Sequence, residues 1–218
     1  MKNLLKFTLA AVSAFALVGP ATAAVVTLDF NGVANPSNST SVGGYYNGGT
    51  SGDGNSGVNY GVSFTSNALA LNSYNGANEP NPGILYFLSG GAVTIDYAAG
   101  FSTGFSFFYA SNSAAAVTVY DGLGGTGNVL ASIMLSNNFV SGCGYCQWDP
   151  IGVAFAGVAK SIDFAGGANS VAYDQITFGA ATPGGAVPEP ATWAMMVGGF
   201  GIAGGALRFR RRQKAVFA

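Results

Sequence analysis

From Val25 to Phe178 the chain is a succession of short apolar runs, each cut off within a few residues by Gly, Asn, Ser or Pro. Runs this short cannot complete the turns of an amphipathic helix. Several alternate with a period of two: Val93, Ile95 and Tyr97 share one face, Thr94 and Asp96 the other. The pattern predicts ten strands, at 25–30, 62–65, 84–88, 93–97, 104–109, 116–120, 129–135, 151–155, 161–164 and 172–178. With no helix to cover a sheet, the apolar faces must bury one another. The expected fold class is therefore all-β, a jelly-roll-like β-sandwich over residues 24–180 followed by a linker at 181–187. Asp121 to Gly127 reads as a Gly-rich hairpin connection. It lacks the Gly-Lys-Ser/Thr of a phosphate loop and precedes no helix. Residues 31–61 form the main irregular stretch, and a loop of that length inside a domain is usually functional or mobile.

Composition then removes whole classes of chemistry. The chain has no histidine, which excludes Ser-His-Asp and Cys-His catalysis and the commonest zinc ligand. Its net charge of −1 conceals segregation. Lys2 and Lys6 open the chain, Arg208, Arg210, Arg211, Arg212 and Lys214 close it, and only Lys160 lies between. Residues 24–187 hold eight acids against that one base, a charge of −7. Nucleic acid is excluded as a partner, because affinity for phosphates comes from Lys and Arg. Cations, polyols and glycans remain. Acids suffice for a carboxylate-pair glycosidase, yet no spacing supports one, and the reading is non-catalytic. No Thr-x-Thr ladder suggests an ice-binding array.

The two ends read as addresses. Residues 1–23 have the form of a secretory signal peptide: the basic Lys2 and Lys6, an apolar stretch from Leu9 to Val18, the Gly19-Pro20 break, and small residues Ala21 and Ala23 before a cut that leaves Ala24 first. A retained N-terminal anchor is the alternative. At the other end stand Val187-Pro188-Glu189-Pro190, then Trp193-Ala194-Met195-Met196, an apolar stretch at 191–207, and the basic stop Arg208, Arg210, Arg211 and Arg212. Residues 191–207 make a short transmembrane helix, lengthened by snorkelling arginines, with 213–218 as a cytoplasmic tail.

This tail closely resembles the PEP-CTERM sorting signal of Gram-negative bacteria, over residues 188–212. Tails of this kind are also called the ice-binding protein C-terminal domain, a label that makes no chain an ice binder. The resemblance implies recognition of Pro188, Glu189 and Pro190 by the membrane protease exosortase. It implies transient anchoring in the inner membrane after signal peptidase has acted, then delivery to the cell surface or extracellular matrix. The hosts of such proteins make exopolysaccharide, which implies a structural or adhesive role in a matrix or biofilm. An anchor that is never cut is the alternative. The middle of the chain resembles, more loosely, the β-sandwich domains of other PEP-CTERM proteins. The matching stretches are Tyr46-Asn47-Gly48-Gly49, Gly104 to Tyr109, Val117 to Gly122 and Ala172 to Phe178.

Three groups of residues remain as candidates for chemistry. Cys143 and Cys146 form a CxxC in an exported chain, where a local disulfide is the natural reading and free thiols the alternative. Zinc would need two further ligands from Cys or His, and there are none. Calcium is the cofactor that abundant carboxylate and amide oxygens favour. Asp174 shares a face with Ile176 and Phe178, which look inward, and Asp29 on the first strand is its expected neighbour; an Asp174 that stays wet at the strand end or caps a turn is the alternative. Asp53 to Asn55 resembles the start of an EF-hand loop, without its later Gly and Glu. Tyr45, Tyr46, Tyr60, Tyr145 and Trp148 lie in turn-rich text. As exposed rings beside Asn and Asp they suit sugar faces, with Tyr45, Tyr46 and Trp148 the chosen glycan contacts and ordinary rim packing the alternative.

Overall fold

In the computed structural model, residues 25–72, 82–184 and 198–201 are described. The expectations for Ala21, Ala23 and Ala24, for Pro188, Glu189 and Pro190, and for the arginines at 208–212 lie outside those residues. So does the 191–207 helix, apart from a helical turn at 198–201. Among the described residues no helix is long and apolar enough to cross a membrane.

Among the described residues of the unit Ala23–Val187 there are ten strands. They are β1 (Val26–Leu28), β2 (Ser39–Ser41), β3 (Val62–Phe64), β4 (Leu69–Asn72), β5 (Gly83–Tyr86), β6 (Ala92–Ser111), β7 (Ala115–Tyr120), β8 (Val129–Leu135), β9 (Asp149–Ala165) and β10 (Val171–Phe178). Among the described residues all the strand pairs are antiparallel. The strand total matches the expectation, but its make-up differs. The runs at 93–97 and 104–109 are one strand, as are those at 151–155 and 161–164. β2 and β4 were not expected: one is Ser-Thr-Ser and the other only four residues long.

The two long strands make the sandwich. The first half of β6 pairs with β3 and with the last half of β9 (Ile95↔Phe64, Ile95↔Ile162). β9 in turn pairs with β7 (Phe164↔Val117), and β7 with β8. This is one layer. The second half of β6 pairs with β10 and the first half of β9 (Tyr109↔Tyr173, Tyr109↔Asp149). β10 carries β1 and β5 on its other side, with β4 and β2 beyond β5. This is the second layer. The strands turn the corner where β6 shifts register between Asp96 and Thr103. There Gly100 has φ +77°, and Gly157 in the facing part of β9 has φ +98°, values that glycine adopts without steric cost.

Phe164 of the first layer meets Phe105 and Tyr173 of the second at ring distances of 6.1 and 4.7 Å. Phe101, Phe107 and Phe178 fill the same core. β7 shows the alternation directly: Ala115, Val117 and Val119 are buried and the residues between them are not. β10 is buried on both faces. Its inner face holds Tyr173. Its outer face is closed by Trp148, which packs with Ile84, Ala110 and Ala172 in a second cluster.

Candidate functional site

The irregular stretch between β1 and β3 is ordered by its own polar groups. Asp53 accepts from the Asn35 backbone N–H (2.8 Å) and the Asn38 side-chain amide (2.8 Å). These bonds hold its carboxyl below the usual carboxylate range. Asn55 donates to the Val33 carbonyl (3.3 Å) and to Asn35 Oδ1 (3.2 Å). The EF-hand-like fragment is thus a loop brace: its Asp and Asn side chains turn back onto residues 33–38.

This brace places two tyrosines beside the end of β1. Thr27, Asp29, Tyr45, Tyr46, Val58 and Tyr60 line a cleft of about 160 Å³. Tyr46 is its floor. The Tyr46 hydroxyl accepts from the Phe30 backbone N–H (2.9 Å), and its ring stands edge-on to Tyr45 at 4.9 Å. Tyr60 stacks over Tyr46 at 6.3 Å and 26°. The backbone N–H of Tyr60 is held by the Tyr46 carbonyl (2.9 Å). Tyr45 donates its hydroxyl to the Asn31 carbonyl (3.1 Å). Gly57 lies flat against Tyr45, where any Cβ would come within 2.2 Å of the ring. Asp29 accepts from the backbone N–H and side-chain amide of Asn31, both at 3.2 Å. A carboxylate has about four acceptor positions, so Asp29 keeps capacity for a further donor.

Burial pushes the Tyr46 hydroxyl well above the usual tyrosine range, and the negative charges of Asp29 and Asp174 add to the rise. Asp29 and Asp174 therefore act on the same ring. They also leave the β1–β10 ladder at neighbouring breaks. Leu28 pairs with Ile176, after which Phe30 (φ +54°) and Gln175 (φ +47°) both enter the left-handed region. Such non-glycine residues cost roughly 1–3 kcal/mol each and persist only where the surroundings hold them. Asp174 is fully buried, with Oδ1 accepting from the Gln175 N–H (2.6 Å). Among the described residues no three of Asp, Glu, Cys and His converge as a metal-ligand group.

Two expectations of exposure are corrected. Tyr46 is 3% exposed, because its hydroxyl and ring are built into the β1 end of the core. Trp148 is 4% exposed, because it covers the outer face of the second layer, away from the cleft residues. Tyr45, Tyr60 and Tyr145 are half-buried. The structure thus groups Asp29 with Tyr45 and Tyr46 and separates Trp148 from them. Cys143 and Cys146 are joined in a disulfide, Cα atoms 5.8 Å apart, in the loop that leads to Trp148. Near that loop a second, apolar cavity of about 180 Å³ is lined by Leu71, Ile84, Tyr86 and Tyr145 among others. No motif signals it, because its walls come from strands distant in sequence.

Residues 186–212 match the PEP-CTERM protein-sorting motif, so the chain carries that motif at its C-terminal end. No curated protein matches the chain by sequence. Among solved structures, the chain is similar to the CsCBM6-3 module of Clostridium stercorarium in complex with cellobiose. That match has 16% identity, covers 55% of this chain and 87% of that one, and has a TM-score of 0.39. The CBM35 of Paenibacillus barcinonensis matches at 20% identity over 56% of this chain and 94% of its own, TM-score 0.37. A β-1,3-glucan-binding CBM6 of Bacillus halodurans matches at 15% identity over 56% and 87%, TM-score 0.37.

Proposed function

We propose that this is an exported, exosortase-processed protein whose jelly-roll-like sandwich serves, without catalysis, as a structural or adhesive component of the cell surface or exopolysaccharide matrix. The observation that carries the reading is the sorting motif at 186–212 joined to a β-sandwich unit that ends at Val187. On this reading signal peptidase removes residues 1–23. The C-terminal stretch then anchors the chain briefly in the inner membrane, until exosortase acts at Pro188-Glu189-Pro190. Deleting residues 188–218 is expected to move the protein from the surface fraction to the periplasm or medium and to weaken cell aggregation. Unchanged fractionation of the truncated protein rejects this role.

The Tyr45–Tyr60 cleft favours a second reading, a calcium-assisted carbohydrate-binding module. Aromatic rings offer apolar surface to a sugar face, and Asp29 offers an acceptor to its hydroxyls. Calcium takes hard oxygen ligands, and Asp29 with Asp174 supplies two carboxylates at the end of one ladder. Carbonyl and amide oxygens would have to complete the set, since no third acid converges with them among the described residues. The ion would neutralise two like charges that otherwise bear on Tyr46.

A further inference from the structure

We infer that the outer edge of β8 is a pairing surface for a second copy of this chain, joined antiparallel about Ser132. The inference goes beyond sorting and glycan binding, and its test is independent of both.

β8 is the last strand of the first layer. It pairs with β7 from Ala115↔Leu135 to Tyr120↔Val129, and among the described residues no strand lies on its other side. An edge strand presents a row of backbone N–H and C=O groups that fits only another extended strand. Natural edges are usually guarded by brevity, charge, proline or a bulge. β2 and β3, at edges elsewhere, are three residues long. β8 has seven residues, Val-Leu-Ala-Ser-Ile-Met-Leu, without a charge or a proline. Its one irregularity is confined to its start, between Val129 and Ala131. Along it Met134 is 70% exposed and Val129 57%, and Val158 from the bend of β9 is 54% exposed.

Two observations select a copy of this chain as the partner. The first is the symmetry of the strand about Ser132. Ala131 answers Ile133, Leu130 answers Met134, and Val129 answers Leu135. Antiparallel pairing about Ser132 therefore sets apolar residues against apolar ones on both sides of Ser132, and the two-fold axis repeats each contact. The second is charge. Residues 24–187 carry −7, so two copies repel over most of their surfaces. β8 is neutral along its whole length. A cationic partner would be drawn to the acidic surface instead.

The full chain in detergent micelles tests this directly. Antiparallel register puts the two Ser132 Cα atoms about 4.5–5.5 Å apart, within the roughly 4.4–6.8 Å range that a disulfide bridges. Ser132→Cys is expected to give a covalent dimer on a non-reducing gel, reversed by dithiothreitol. Asn59→Cys, exposed on a loop, is expected to give none; Cys143 and Cys146 are already bonded to each other. In the wild-type background, Met134→Lys is expected to weaken the sedimenting dimer at least tenfold while leaving the circular dichroism spectrum of the folded chain unchanged. A wild-type chain that sediments as a monomer up to high micromolar concentration overturns the inference. So does a dimer that survives Met134→Lys, or a Ser132→Cys chain that cross-links to another protein and not to itself.

Discussion

Tyr46 shows how one side chain can serve the core and the cleft at once. Its ring is buried, while its hydroxyl occupies the Phe30 N–H at a residue forced into the left-handed region. Tyr46→Phe keeps the ring and leaves that buried N–H without its acceptor, so a loss of about 1–3 kcal/mol is expected in denaturant melts. A second prediction concerns pH. Burial pushes the Tyr173 hydroxyl far above the usual tyrosine range, and burial with the Asp29 charge does the same for Tyr46. Both therefore favour the folded state fully below about pH 10, where unfolded tyrosines begin to ionise. That contribution is lost progressively as pH rises from there toward the folded-state values. Phenolate absorbance at 295 nm should rise in two waves, with the later one coincident with unfolding by circular dichroism. A single wave before unfolding contradicts the burial argument. At this scale the sequence is partly readable. The turn-rich text marks Tyr45 and Tyr46 together, whereas Asp29 reads from the sequence as the neighbour of Asp174, and only the fold sets it beside the two rings. Nothing local marks Trp148 as buried, because Ile84, Ala110 and Ala172 reach it from three separate strands.

At the scale of elements, period-two alternation is the reliable signal. It locates β7, β8 and β10 closely, since each has an inward apolar set facing the core. It fails where a strand has no apolar side chain, as in β2. It also fails at the corner of the sandwich. The break between the expected strands 93–97 and 104–109 holds Gly100, yet the chain there bends β6 while β9 bends beside it, so two expected pairs of strands are two long ones. The β1–β10 ladder is the element on which the calcium reading rests. If the ion sits between Asp29 and Asp174, it ties the ends of these strands together. Millimolar calcium should then raise the melting temperature by several degrees over EDTA, through binding to the folded state alone. Asp174→Asn should abolish the difference. A melt indifferent to both reagents removes calcium from the account.

At the scale of the whole molecule, the charge distribution and the motif tell one story. The basic residues belong almost entirely to the two ends, and the unit between them is acidic, compact and β-rich. The sorting motif at the C-terminal end was legible because it depends on local composition: a Pro-Glu-Pro, an apolar stretch and an arginine stop. The cleft was legible only in part, because it depends on which distant segments the fold brings together. Tyr60 becomes its third ring only through the bond of its N–H to the Tyr46 carbonyl. An adhesive role in an exopolysaccharide matrix needs a surface that holds glycan, and on the second reading the cleft is that surface. The most direct measurement is calorimetric titration of host exopolysaccharide fragments into the protein, alongside its Tyr60→Ala variant. The account predicts saturable binding, weakened about tenfold or more by Tyr60→Ala, equivalent to roughly 1.4 kcal/mol, with the variant still folded by circular dichroism at the titration temperature. No heat of binding from folded protein, or equal binding by the variant, contradicts it.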